Sequence, residues 1–114
     1  DLFIDIDIAP HPLFDIDGRN LLLTLPVTPW EAALGAQMTI PTISGKVSLK
    51  IPRGSVQGQK LRLKGKGMPG NPPGDQLIIL QVVLPERHDP AAEALYKKLA
   101  ELEGHFNPRA ALGV

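Results

Sequence analysis

Apolar and polar residues alternate with period two at the start of the chain. Leu2, Ile4, Ile6 and Ile8 share one face, and Asp1, Phe3, Asp5 and Asp7 share the other. Strict alternation over eight residues predicts a half-buried strand. Pro10 and Pro12 end it, because proline has no N–H to give to a ladder. Asp17-Gly18 then separates Leu13-Phe14 from the run Leu21–Leu25, and Asp-Gly between apolar runs signals a hairpin. Leu21, Leu23 and Leu25 keep one face as far as Pro26. Further short strands are expected at Gln37–Thr42 and Val47–Ile51, joined through Ser44-Gly45-Lys46, and at Lys60–Lys64. The stretch Gly65–Gly74 holds three prolines and four glycines in ten residues and predicts a long turn. The last strand, Gln76–Leu84, is almost wholly apolar, so a central position covered on both faces is expected.

Two segments change period. Thr28-Pro29-Trp30-Glu31-Ala32-Ala33-Leu34-Gly35 reads as one or two helical turns. A capping threonine, a proline at the first position, a glutamate three residues after the cap and a closing glycine stand in order. After Pro85, Asp89 and Pro90 open a helix expected to run to about Glu103 and stop at Gly104. Leu95, Leu99, Leu102 and Phe106 recur at four, three and four, which is one helical stripe. Standing beyond the polar link Glu86–Asp89, that stripe belongs to an appended element. Such a helix is marginal alone and needs a partner surface, either its own domain or the same helix of a second chain across a two-fold axis.

One echo suggests duplication. Asp1–Ile8 aligns with Asp75–Val82, each opening on aspartate, continuing apolar and followed by proline and then histidine. Matching strands some 74 residues apart suggest a tandem repeat of one small β domain. On that reading residues 1–8 close a preceding, truncated domain, 9–85 form a second β domain, and 86–114 form a helix and tail. The chain opens without methionine, as a piece cut from a longer protein would.

Composition narrows the chemistry. The 114 residues suit a single domain able to hold a core without staples. There is no cysteine, which removes disulfides, zinc ribbons and thiol nucleophiles. Aromatics make up 4% of the chain, too few for a stacking platform that reads single strands. The apolar runs are too short to span a bilayer, and no basic stretch followed by an apolar run marks a leader at the start. His11, His88 and His105 have no metal-ligand spacing. Ser44, Ser48 and Ser55 lack a nucleophile elbow. Gly65-Lys66-Gly67 is followed by Met-Pro-Gly-Asn-Pro-Pro, so no helix N-terminus stands ready to cradle a phosphate. No enzyme, cofactor or metal is expected.

Charge is balanced overall, twelve against twelve, but unevenly placed. Between Glu31 and Asp75 there is no acidic residue, while Lys46, Lys50, Arg53, Lys60, Arg62, Lys64 and Lys66 all fall there. Seven cations on neighbouring strands can form a stripe for DNA phosphates. Equally, they can be the solvated lysines by which edge strands resist aggregation.

Several ordered motifs together resemble the C-terminal region of DnaJ/Hsp40 co-chaperones over nearly the whole chain. They are Asp1-Leu2-Phe3-Ile4, His11-Pro12-Leu13-Phe14, Asp17-Gly18-Arg19-Asn20-Leu21, Pro26-Val27-Thr28, Glu31-Ala32-Ala33-Leu34-Gly35 and Ile40-Pro41-Thr42. The most specific are Leu63-Lys64-Gly65-Lys66-Gly67-Met68-Pro69 and Gly74-Asp75-Gln76-Leu77. The tail Phe106-Asn107-Pro108-Arg109 is similar to that of the family's curved-DNA-binding members. The resemblance implies a mainly β, two-sheet sandwich-like domain of the Hsp40 peptide-binding type, second of a tandem pair, with a C-terminal amphipathic helix that dimerises. It also implies a bacterial protein, cytoplasmic or nucleoid-associated, that holds unfolded polypeptide and passes it to Hsp70 (DnaK in bacteria). The activating His-Pro-Asp would lie in a J domain this chain lacks; His88-Asp89-Pro90 has the wrong order. By analogy between the repeats, Leu23, Leu25 and Ile40 match the apolar strip that takes an extended client peptide, or else form plain sandwich core.

Overall fold

The computed structural model describes residues 13–86 and 89–114. The predicted strand 1–8, His11 and His88 lie outside them. The chain divides into two units, Asp1–Leu84 and Pro85–Val114, each described by itself.

In the first unit, β1 (Phe14–Asp17) and β2 (Asn20–Val27) form the predicted hairpin. Asp17 stands opposite Asn20, and Gly18 turns the chain at φ 62°. β2 continues through Pro26, one step beyond its expected end. The reason is directional: Leu21 N–H donates to Asp75 O, so alternate residues from Leu21 bond toward the C-terminal strand. Pro26 falls on the opposite parity, facing β1, whose pairing stops at Leu23. Its missing N–H therefore costs no bond to that strand.

Next comes α1 (Pro29–Leu34), closed by a complete capping box. Thr28 Oγ1 accepts from Glu31 N–H, and Glu31 Oε1 accepts from Thr28 N–H at 2.9 Å. Gly35 ends it at φ 82°, where a Cβ would press on Ile51 O and Arg53 N. β3 (Ala36–Thr42) and β4 (Gly45–Ile51) form a second hairpin, with Thr42 opposite Gly45. The turn is thus Ile43-Ser44, and β4 starts two residues before its expected place. β5 (Lys60–Leu63) and β6 (Gln76–Val82) complete the strands.

The strands make two sheets: β1-β2-β6-β5, and the two-stranded ribbon β3-β4. β6 lies between β2, which it parallels from Leu21↔Gln76 to Val27↔Val82, and β5, which is antiparallel. One core joins them, built from Leu21, Leu23, Val27, Ile78 and Leu80 of one sheet and Ile40, Leu49 and Ile51 of the other. Gln76, fully buried in that core, donates from Nε2 to Pro41 O (3.1 Å) and bridges the sheets. The expected sandwich is present. The expectation that β6 is covered on both faces needs correction. Gln76, Ile78 and Leu80 are buried beneath the ribbon, whereas Leu77 and Ile79 on the other face are half-buried and Gln81 is exposed.

In the second unit α2 spans Pro90–Leu102. Asp89 caps it by accepting from Ala92 N–H (2.8 Å), with Pro90 at the first helical position. It ends one residue before the expected boundary, where Glu103 N–H reaches Leu99 O. Beyond it, Asn107 ties the tail: Nδ2 donates to Val114 O (2.8 Å) and Oδ1 accepts from Arg109 N–H (3.0 Å) around a 3-10 turn at Ala110–Leu112.

Candidate functional surfaces

The predicted apolar strip is mostly core. Leu23 at 5% and Ile40 at 1% exposure lie between the sheets, because strand alternation turns both toward the shared interior. Leu25 has the same parity but sits past the last residue paired with β1, and is only half-buried. Met38, on the inward face of β3, is half-buried too, and both pack against the core cluster. Of the three expected residues, Leu25 alone reaches the surface. Met38, outside the expected strip, precedes Ile40 by two, shares its face and is half-buried like Leu25.

The seven cations do not make one stripe. Lys46 and Lys50 alternate with buried Leu49 and project from the outer face of the ribbon. Lys60 and Arg62 alternate with Leu61 and Leu63 and project from the outer face of the four-stranded sheet. Because the sheets pack inner face to inner face, these outer faces look in opposite directions. Arg53 stands exposed after β4, and Lys64 and Lys66 stand exposed where β5 runs into the glycine-rich loop.

The surroundings of the two sets also differ. Across the outer face of the larger sheet the register runs Asp15, Leu22, Leu77, Arg62, so that face carries carboxylates at one edge and apolar residues at its centre. Arg62 is further engaged in an ion pair with Asp75. The Asp75 carboxylate also accepts from Gly65 N–H (2.8 Å), and this hydrogen bond, more than the neighbouring Arg62 and Lys64, holds its pKa below the ordinary 3.8. On the ribbon, Gln37 stands opposite Lys50, Thr39 opposite Ser48, and Pro41 opposite Lys46, with no acidic side chain among them.

The glycine-rich loop 65–74 is anchored rather than free. Arg19, from the β1–β2 turn, donates through Nη2 to Pro69 O (2.8 Å) and Pro72 O (3.2 Å), and its own carbonyl accepts from Met68 N–H (2.9 Å). Asn20 Oδ1 accepts from Asp75 N–H (3.0 Å). Gly74 lies so close that a Cβ there would fall on the Arg19 carbonyl. Arg19 and Asp75 were legible as motif members but not as the two anchors of this loop, since they are 56 positions apart. His105 is exposed, and among the described residues no cluster of three His, Cys, Asp or Glu could hold a metal. No helix among them is long and apolar enough to cross a membrane.

On the second unit, Leu95, Leu99 and Leu102 of α2 and Phe106 just beyond it are 54–71% exposed. Leu112 and Val114 at the tail are exposed as well.

A family model described as the DnaJ C terminal domain matches residues 1–85. The chain belongs to the DnaJ C-terminal domain family. As a member of it, the chain is 50% identical over 109 residues to the curved DNA-binding protein of Coxiella burnetii, covering 96% of this chain and 34% of that one. It is 50% identical to that of Serratia proteamaculans and 48% identical to that of Escherichia coli, each over 110 residues and 36% of the relative's length. The chain thus spans about a third of the length of these curated relatives. DnaJ C-terminal domains are co-chaperone domains, and the anchored loop, Gly65-Lys66-Gly67-Met68-Pro69 through Gly74-Asp75, is the part of this member on which the sequence resemblance rests most heavily.

Proposed function

We propose that this chain is the client-holding and self-associating end of a DnaJ-type co-chaperone, which keeps unfolded polypeptide from aggregating and delivers it to Hsp70 (DnaK in bacteria). Delivery depends on a J domain outside this chain, and the setting is the bacterial cytoplasm. The observation that carries the reading is the pairing of a DnaJ C-terminal β domain with a tail unit whose apolar stripe stands in solvent. The client strip centres on Leu25 and Met38, with Leu23 and Ile40 as its buried floor. An extended apolar segment laid there gains weak, sequence-tolerant contacts. Two chains joined through Leu95, Leu99, Leu102 and Phe106 hold a long client at two points, and effective concentration then multiplies the weak affinities.

The test is fluorescence anisotropy with labelled peptides of graded hydrophobicity. Binding is expected to strengthen with apolar content, to change little between 50 and roughly 300 mM salt because burial rather than charge drives it, and to weaken in Leu25→Lys. Binding that ignores peptide hydrophobicity, or that salt abolishes, overturns the reading.

A second reading is favoured by a separate observation. Exposed cations stand on both outer faces, with no acidic side chain beside Lys46 and Lys50 of the ribbon, and such charge suits duplex DNA; the relatives above are named for DNA binding. Both activities are compatible in one chain, and DNA binding would bring the protein to the nucleoid.

A further inference from the structure

We infer that the outer face of the four-stranded sheet is a contact between two copies of this chain, made by stacking the sheets face to face about a two-fold axis parallel to their strands. The contact uses neither the tail stripe nor the client strip, and it stands or falls apart from the readings above.

Three observations point to a second copy. First, the register sets the face in rows. One row runs Asp15, Leu22, Leu77, Arg62, and the next runs Thr24, Ile79, Lys60. Asp17 lies two residues beyond Asp15, and Lys64 two beyond Arg62, at the same end of the sheet. One edge is therefore anionic and the other cationic, with half-buried Leu22, Leu77 and Ile79 between them. Secondly, Asp15, Asp17, Lys60 and Lys64 are exposed, and none has an ion-pair partner among the described residues, so each is available to a charge on another molecule. Thirdly, the extent suits a reversible contact. Four strands at about 4.8 Å and three rows at about 6.8 Å give a face of roughly 400 Å², or about 800 Å² for two copies. That lies below the roughly 1,200 Å² of a stable complex, in the range where rim charges decide orientation.

Symmetry turns this pattern into a choice. Sheets stacked in the aligned manner are related by a two-fold axis that lies along the strands or across them. An axis across the strands brings β1 onto β1 and β5 onto β5. Aspartate then meets aspartate and lysine meets lysine, and like charges so placed repel. An axis along the strands, between β2 and β6, reverses the strand order of the second copy. Asp15 then meets Arg62 of the second copy and Asp17 meets its Lys64, and each pair occurs twice because the contact is isologous. At the centre Leu22 meets Leu77 and Thr24 meets Ile79, where the half-buried side chains lose their remaining water. The ribbon has no such complement: its outer face carries Lys46 and Lys50 without an acid, so two ribbons repel.

The experiment uses the full chain carrying Leu99→Asp/Leu102→Asp, so that the tail stripe contributes nothing, in sedimentation equilibrium from about 0.1 to 1 mM at low salt. Two charge forms are built on that background. Asp15→Lys/Asp17→Lys makes both edges cationic, and Lys60→Glu/Lys64→Glu makes the β5 edge anionic around Arg62. All four positions are exposed, and circular dichroism verifies that both forms are folded. The background chain is expected to dimerise within this range. Each charge form alone is expected to associate about fivefold more weakly or worse, since exposed pairs of opposite charge become pairs of like charge. Their equimolar mixture restores opposite charges at both edges, and is expected to return to within about twofold of the background chain. A form that had merely lost its fold would show no such recovery. A background chain that is monomeric at 1 mM, a charge form that associates as well as the background, or a mixture without recovery overturns the proposal. Monomers whose Leu22, Leu77 and Ile79 amide signals move on adding an apolar peptide overturn it too, and give the face to a client. None of these outcomes touches the client strip or the tail stripe.

Discussion

Replacing Leu99 and Leu102 by aspartate tests whether the tail stripe is an interface. Leu95, Leu99, Leu102 and Phe106 are between 54 and 71% exposed, so pairing two copies can bury roughly two thirds of each side chain anew. At about 1.5–3 kcal/mol for a full burial, each gains roughly 1–2 kcal/mol, or roughly 8–16 kcal/mol for the eight side chains of a dimer. Association itself costs about 4–15 kcal/mol, so the net lies between nothing and about 12 kcal/mol, a range that contains a micromolar dimer at about 8 kcal/mol. Leu99→Asp/Leu102→Asp removes half of the gross gain, roughly 4–8 kcal/mol, and places four carboxylates in the contact, so Kd rises by roughly three decades or more. Because these side chains are exposed in the chain as it stands, the substitutions leave its own packing intact, and circular dichroism should superimpose. Sedimentation equilibrium from 10 to 500 μM is the assay. Dimer in the wild type and monomer in the variant is the expected result. Monomer in both, or the same Kd in both, would refute the reasoning and return the stripe to the role of packing surface for its own chain.

Two further outcomes follow from the anchored loop. Asp75 is stabilised as a carboxylate by Gly65 N–H and then by Arg62, so its pKa is lowered on folding. The stability it lends is complete well above 3.8 and is lost as pH falls below that value. Asp75→Asn is therefore expected to lower Tm at pH 7, with the gap to wild type closing toward pH 3; a gap independent of pH would contradict this. Gly74→Ala places a methyl on the Arg19 carbonyl, an overpacking that costs about 1–3 kcal/mol or more. In urea denaturation it should cost more than Gly18→Ala, whose Cβ meets open space and bears only the left-handed backbone penalty of about 1–2 kcal/mol. Equal losses would show the loop to be more yielding than its contacts imply.

What could be read in advance depended on reach along the chain. The capping box at Thr28 and Glu31, the turn at Gly18 and the start of α2 at Asp89-Pro90 are written within three or four residues, and each was found where its residues placed it. The pairing of β2 with β6 joins Leu21 to Gln76, 55 positions away, and its parallel sense follows from no local signal. What separates core Leu23 from Leu25, on the same face two residues later, is that the pairing of β2 with β1 ends at Leu23. The cations show the same division. Their alternation with apolar residues was legible strand by strand, but their separation onto opposite sides needed the stacking of the sheets. Of the apolar strip, parity was visible in the sequence and depth was not.

The parallel pairing of β2 and β6 also dictates an order of events during synthesis. The hairpins β1–β2 and β3–β4 close from neighbouring residues and can form while the chain is still emerging. The larger sheet acquires its central strand only when Gln76–Val82 has left the ribosome. Until then the inward rows Leu21, Leu23 and Leu25, and Ile40, Leu49 and Ile51, lack Ile78 and Leu80 of the central strand to complete the core between them, and contacts so distant in sequence form slowly. A nascent chain that stops short of β6 therefore presents those apolar rows to its surroundings, and this domain is itself an unfolded polypeptide until its last strand arrives.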